Sequence, residues 1–74
     1  MMIFCQNRRV VEKVGKRIYI VYSNGKYQIM NRHNDNEVTI LGEYEKESNA
    51  QEVVREIFRQ MRNKYDTYCM PEKL

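Results

Sequence analysis

The sequence predicts an α+β fold in which a four- or five-stranded antiparallel meander sheet packs on one C-terminal amphipathic helix. A helical pattern of apolar residues occupies the C-terminal part of the chain, and the residues before it alternate like β-strands separated by tight turns. At 74 residues the chain can bury only one core. We therefore expect a single domain over residues 1–66 and a flexible C-terminal tail over residues 67–74.

The helix is expected to run from Ser48 to about Tyr65. Apolar residues recur there three or four positions apart, which places them on one stripe. These residues are Ala50, Val53, Val54, Ile57, Phe58, Met61 and Tyr65. Ser48 with Gln51 three residues later matches a capping box. The rest of the chain must supply the surface that covers this stripe.

The strands are expected over residues 2–5, 10–14, 17–23, 26–32 and 37–44. Asn24-Gly25 lies between two β-rich runs and supplies the positive φ values of a type I′ hairpin. This turn predicts the pairs Tyr22–Tyr27, Ile20–Ile29 and Ile18–Asn31. A second turn near His33 then predicts the pairs Ile29–Ile40 and Asn31–Val38.

The alternation along the strands divides the sheet into two faces. The face expected under the helix contains Val11, Ile18, Ile20, Tyr22, Tyr27, Ile29, Val38 and Ile40. The opposite face is expected to present Val10, Tyr19, Val21, Met30 and Leu41. Because one helix cannot cover both faces, this second group is a predicted partner-binding surface, for a homodimer or for another protein.

The net charge of +3 is unevenly distributed. Basic residues dominate the first 32 positions and acidic residues dominate the stretch from Asp35 to Glu52. The helix end is basic again, and Arg55, Arg59 and Arg62 form a second predicted partner-binding surface. Six tyrosines interleaved with arginines keep nucleic-acid binding open as an alternative. The aromatic pattern nevertheless lacks the paired motif of an RNA-recognition sheet.

The sequence has few side chains of the types that bind metals or act as a nucleophile with its base. Cys5, Cys69 and His33 fall short of the four ligands of a structural zinc site, and their spacing indicates no nucleophile and base. We therefore expect no enzyme, no cofactor and no metal. The two isolated thiols, with no signal-peptide pattern and no run long enough to span a membrane, favour the cytoplasm.

Three segments carry a resemblance to a known group of proteins. They are Met2-Ile3-Phe4-Cys5-Gln6-Asn7, Ile18-Tyr19-Ile20, and Leu41-Gly42-Glu43-Tyr44 followed by Ala50-Gln51-Glu52-Val53-Val54-Arg55-Glu56-Ile57. Over residues 2–58 the chain resembles a family of short, mostly uncharacterised proteins of phages and prophages of Gram-positive bacteria. The family pattern is an apolar-Gln-Asn start, then Leu-Gly-x-Tyr, then Ala-x-x-Val-Leu-x-x-Ile on the closing helix. Val54 departs from it, since Leu is usual there.

This resemblance implies a function through the genetic setting. Small phage accessory proteins commonly bind a host macromolecule, and some block antiviral defence systems. The expected function is therefore non-enzymatic binding of a host protein in the bacterial cytoplasm, with inhibition of a defence system as one form of it. A nucleic-acid-binding regulator is the alternative, and a structural phage component is a third interpretation.

Overall fold

A computed structural model describes residues 1–72, which form six strands and one helix. The elements are β1 (Met2–Phe4), β2 (Val11–Lys13), β3 (Arg17–Ser23), β4 (Lys26–Asn34), β5 (Glu37–Tyr44), α1 (Glu47–Arg62) and β6 (Thr67–Cys69). The α+β class is confirmed. The strands, however, form two three-stranded sheets, so the prediction of one meander of four or five strands is wrong.

The larger sheet has the order β3-β4-β5 and is antiparallel. Its first turn is at Asn24-Gly25, where both residues have positive φ values of 52° and 78°. Such values are what a type I′ turn requires. The three predicted pairs across this hairpin are confirmed: Tyr22–Tyr27, Ile20–Ile29 and Ile18–Asn31.

A β-bulge in β5 decides which of its side chains reach the core. The observed pairs are Ile29–Gly42, Met30–Ile40, Asn31–Thr39 and Arg32–Val38, which leave Leu41 as the extra residue. A shift of one residue turns the preceding side chains to the other face of the sheet. The predicted pairing of Ile40 with Ile29 and of Val38 with Asn31 is therefore wrong. Leu41 is buried, whereas Val38 and Ile40 are exposed.

The smaller sheet has the order β2-β1-β6. β1 pairs antiparallel with β2 and parallel with β6, and β6 reaches it only after the chain has passed through α1. A parallel pair needs such a long crossover, which local sequence does not reveal. β6 and the fully buried Met70 place residues 67–72 within the fold rather than in a flexible tail. Residues 73 and 74 of the expected tail lie outside the described residues.

The helix begins at Glu47 and ends at Arg62, three residues before the predicted end. Lys46 is its N-cap and no side chain caps the first turn, so the predicted Ser48 capping box is wrong. The buried stripe is also narrower than the predicted one. Its buried members are Ala50, Val53 and Ile57, while Phe58, Met61 and Tyr65 are exposed.

The core lies where the inner face of the larger sheet, α1 and the smaller sheet meet. Its buried apolar residues are Ile3, Cys5, Ile29, Leu41, Tyr44, Ala50, Val53, Ile57 and Met70. Because both sheets and the helix contribute to this one cluster, the second sheet occupies inner-face area that the single helix leaves uncovered.

Gln6 joins the smaller sheet to the edge of β5. Its backbone N–H donates to the Leu41 carbonyl oxygen at 2.9 Å. Its side-chain Oε1 accepts from the Glu43 N–H at 2.7 Å, and Nε2 donates to the Glu43 carbonyl oxygen at 2.9 Å. A Cβ at position 42 would lie 3.1 Å from the Gln6 Cβ, so this approach favours the glycine found there. Gln6 thus provides the hydrogen bonds of a neighbouring strand at Leu41 and Glu43 of β5.

The two neighbouring helix residues Ile57 and Phe58 test the placement of the helix. Ile57 is 2% exposed and Phe58 is 62% exposed. Ile57→Ala should lower the free energy of unfolding by about 2–5 kcal/mol, because it leaves a cavity in the core. Phe58→Ala should cost less than about 1 kcal/mol, as at other exposed positions. Urea denaturation measures both, and equal losses would contradict the observed orientation of α1.

Candidate binding surfaces

The larger sheet has an uncovered side, which we call the outer face. It is the side opposite α1 and carries Arg17, Tyr19, Val21, Gln28, Met30, Arg32, Val38, Ile40 and Glu43. Val38 and Ile40 are 40% and 46% exposed. Within residues 1–72, both the helix and the smaller sheet join the core on the other side, so the outer face stays open to solvent.

The outer face has an apolar centre and a polar rim. Tyr19, Met30 and Ile40 lie side by side on three neighbouring strands. At one end the Arg17 guanidinium lies 5.8 Å from the centre of the Tyr19 ring. At the other end Gln28 Nε2 donates to Glu43 Oε2 at 2.8 Å. An apolar centre inside a polar rim is typical of protein–protein interfaces.

Three of the five residues predicted for this face lie together on it: Tyr19, Val21 and Met30. The prediction for Leu41 is wrong, because the bulge turns it inward and leaves it 1% exposed. The prediction for Val10 is also wrong. Val10 precedes β2 and belongs to the loop of the smaller sheet, where its carbonyl oxygen accepts from the Cys5 N–H.

Sequence reasoning missed two residues of the outer face, Val38 and Ile40. A regular hairpin carries the alternation of β4 unchanged into β5, which assigns both residues to the inner face. Gly42 is a sequence signal of the change, since a glycine inside a strand often marks a bulge or a close backbone contact.

The basic residues at the helix end form a separate surface. Arg55, Arg59 and Arg62 surround the exposed Phe58 with Glu52. Arg59 forms an ion pair with Glu56, and the Arg62 guanidinium lies 5.9 Å from the centre of the Phe58 ring. Because α1 packs on the inner side of the larger sheet, this surface and the outer face lie on opposite sides. The structure does not combine the two predicted surfaces into one site.

A polar cluster lies at one end of the inner face, around the fully buried Asn31. The Asn31 amide accepts from the Gly15 N–H at 2.7 Å and donates to Glu12 Oε1 at 2.7 Å. Glu12 Oε1 also accepts from the Thr39 hydroxyl and lies 3.6 Å from His33 Nε2. Buried polar groups with complete hydrogen bonding fix one arrangement of a core. This cluster attaches β2 to the larger sheet.

The Cys5 thiol lies beside the same carboxylate and is 2% exposed. Burial, and after it the negative charge and hydrogen bonding of Glu12, raises the pKa of Cys5 from 9.0 to about 11. A reactive cysteine needs a lowered pKa and access to solvent. The arrangement of Cys5, Glu12 and His33 therefore resembles a packed structural cluster more than a nucleophile with its base.

Burial also raises the pKa of Tyr44 to about 12. The Tyr44 hydroxyl donates to the Pro71 carbonyl oxygen at 2.7 Å, so it helps hold the C-terminal segment to β5.

Over residues 1–72, no group of three or more His, Cys, Asp or Glu side chains is arranged to hold a metal ion. Within residues 1–72, helix α1 is too short and too polar to span a bilayer.

Comparisons with protein-family models, with curated proteins and with solved structures give no match to this chain. The candidate surfaces therefore rest on their own geometry and chemistry.

Asn31 tests the polar cluster. Asn31→Ala removes the partner of the Gly15 N–H and one donor to Glu12, and each buried group left unpaired costs about 1–3 kcal/mol. Urea denaturation should therefore show that the variant loses at least about 1–3 kcal/mol of free energy of unfolding. Asn36→Ala, at an exposed turn position, is the matched control and should change it by less than about 0.5 kcal/mol. Equal stability of the two variants would contradict the role of the cluster.

The raised pKa of the Cys5 thiol predicts that stability declines at alkaline pH. The folded chain holds the thiol proton up to about pH 11, whereas the unfolded chain releases it near 9.0. The folded state therefore binds more protons in this window, and the free energy of unfolding must fall as the pH rises through it. Below the window Cys5 contributes no pH dependence. Denaturation titrations of the wild type and of Cys5→Ala should show a shallower alkaline decline in the variant, and identical slopes would contradict the assignment.

Proposed function

We propose that the chain is a small phage or prophage accessory protein that binds a host protein through the outer face, without catalysing a reaction. The proposal rests on the apolar centre of that face, in which Val38 and Ile40 are exposed and Tyr19, Val21 and Met30 are partly buried. The resemblance of residues 2–58 to phage proteins supplies the host setting. The proposed location is therefore the cytoplasm of the bacterial host.

Rigidity supports a binding role for the outer face. Its side chains project from three paired strands, so little order has to be gained when a partner binds. Tyrosine and arginine dominate the binding energy of many interfaces, and Tyr19 and Arg17 lie in contact on this face. Such a surface is suited to occupying a site on a folded protein.

The surroundings of two reactive side chains, Cys5 and His33, support the absence of catalysis in the proposal. The Cys5 thiol is buried and keeps its proton. The one histidine, His33, contacts Asn31 and Glu12 inside the polar cluster. Within the described residues these groups serve packing, which leaves surface recognition as the function we propose. Inhibition of a host antiviral defence component is the form of recognition that the phage setting favours.

The alternative is a nucleic-acid-binding regulator, and the helix end favours it. The exposed Phe58 ring beside Arg62 offers a stacking platform with an adjacent positive charge. Glu52 borders the same depression and Glu56 pairs with Arg59, which weakens the local positive field. The outer face therefore remains the better-supported surface.

The test begins with affinity capture from a nuclease-treated lysate of a Gram-positive host, followed by titration of the purified partner. Met30→Glu and Ile40→Glu each place a charge in the centre of the outer face and should weaken binding by about 10-fold or more. Val10→Glu is the matched control, because Val10 is 42% exposed and lies off the face. It should leave the affinity unchanged.

Salt dependence separates the proposal from its alternative. A protein partner bound through an apolar centre should show a modest loss of affinity with added salt. Nucleic acid should show a steep, linear fall of log affinity with log salt, together with loss on Arg55→Glu or Arg62→Glu. Unchanged affinity of Met30→Glu and Ile40→Glu would overturn the proposed surface.

A further inference from the structure

The larger sheet has two edges, β5 and β3. Gln6 occupies the part of the β5 edge from Leu41 to Glu43 with three hydrogen bonds from its backbone and side chain. β3 forms the other edge. Within residues 1–72, the backbone of Arg17–Ser23 pairs with β4 alone and makes no hydrogen bond on its outward side.

β3 also lacks the features that protect an edge from pairing. Natural edge strands are usually short, bulged, or interrupted by a charged residue or proline. β3 is seven residues long and pairs with β4 without a register shift. Residues 18–22 contain no charge and no proline. An open and regular edge whose residues 18–22 carry no charge is a template for one more strand.

We propose that β3 of a second copy of this chain pairs antiparallel with this edge, about a two-fold axis at Ile20, and joins the two larger sheets into one six-stranded sheet. This register uses all seven residues of β3. It places Arg17 opposite Ser23, Ile18 opposite Tyr22, and Tyr19 opposite Val21. A shift by one residue would bring inner side chains to the outer side, so the alternation excludes it.

The charges and side chains of β3 complement a second copy of themselves. The charged Arg17 lies opposite the uncharged Ser23, so the two guanidinium groups are at opposite ends of the interface. Tyr22 is 66% exposed in the single chain and would pack across from Ile18. Pairs of an aromatic and a β-branched side chain are among the favourable cross-strand pairs.

An apolar groove beside the open edge supports the same occupant. It has a volume of about 220 Å³ and lies between α1 and the start of β3. Its lining includes Val14, Ile18, Val54, Phe58 and Met61. This volume is below the roughly 300 Å³ of small-molecule sites, so it suits a side chain. Tyr22 of the second copy lies opposite Ile18, which brings its ring to this groove.

The inference does not rest on the proposed function. Pairing at the β3 edge leaves Met30 and Ile40 uncovered and would place the two outer faces side by side on one continuous sheet. A monomer that binds a host protein would contradict this inference alone. A β3-linked dimer that binds no host protein would contradict the proposed function alone.

The first experiment measures molar mass by light scattering and dissociation by sedimentation of the whole chain. The wild type should have twice the chain mass of 9.0 kDa. Tyr22→Lys should raise the dissociation constant by about 10-fold or more, since it removes an interface anchor. Tyr65→Lys is the matched control, because Tyr65 is 58% exposed and lies off the edge. Circular dichroism verifies that both variants fold.

The second experiment tests the register by cross-linking in a Cys69→Ser background. Mixing Tyr19→Cys chains with Val21→Cys chains should give the mixed disulfide in preference to either like pair, because residues 19 and 21 face each other across the axis. A monomeric wild type at high concentration would overturn the inference. So would a dimer that is insensitive to Tyr22→Lys, or mixing without preference for the mixed disulfide.

Discussion

The bulge at Leu41 sets which side chains of β5 face the core and which face solvent. It turns Leu41 into the core and, by the period of two in a strand, turns Val38 and Ile40 outward. Gln6 holds the same region by bonding to Leu41 and Glu43 on both sides of Gly42. The register shift at Leu41, together with a second shift between Arg32 and Asn34, thus completes the core and enlarges the apolar outer face.

Sequence patterns predict the features of the fold that depend on neighbouring residues. The Asn24-Gly25 hairpin and its pairs, and the burial of Ala50, Val53 and Ile57, follow from turn geometry and helical spacing. The pairing of β6 with β1 joins residues at opposite ends of the chain. Phe58 is exposed although the helical spacing places it on the apolar stripe. Neither feature leaves a signal in neighbouring residues, so local patterns do not predict them.

Only part of the outer face is predicted from the sequence, because simple alternation holds along a regular strand but not across a bulge. Tyr19, Val21 and Met30 belong to the regular hairpin, so simple alternation identified them. Leu41 is the extra residue of the bulge itself, so simple alternation assigns it to the wrong face. The outer face and the open β3 edge belong to the same sheet. A protein that assembles through the edge would therefore present the face to its partner in two copies.

The bulge exposes Ile40 while Leu41 is buried. Methyl NMR with a soluble paramagnetic agent measures this difference directly, because the agent broadens signals according to their exposure to solvent. We expect strong broadening of the Ile40 and Val38 methyl signals and protection of the Leu41 methyl signals. Protected Ile40 methyl signals together with broadened Leu41 methyl signals would contradict this expectation.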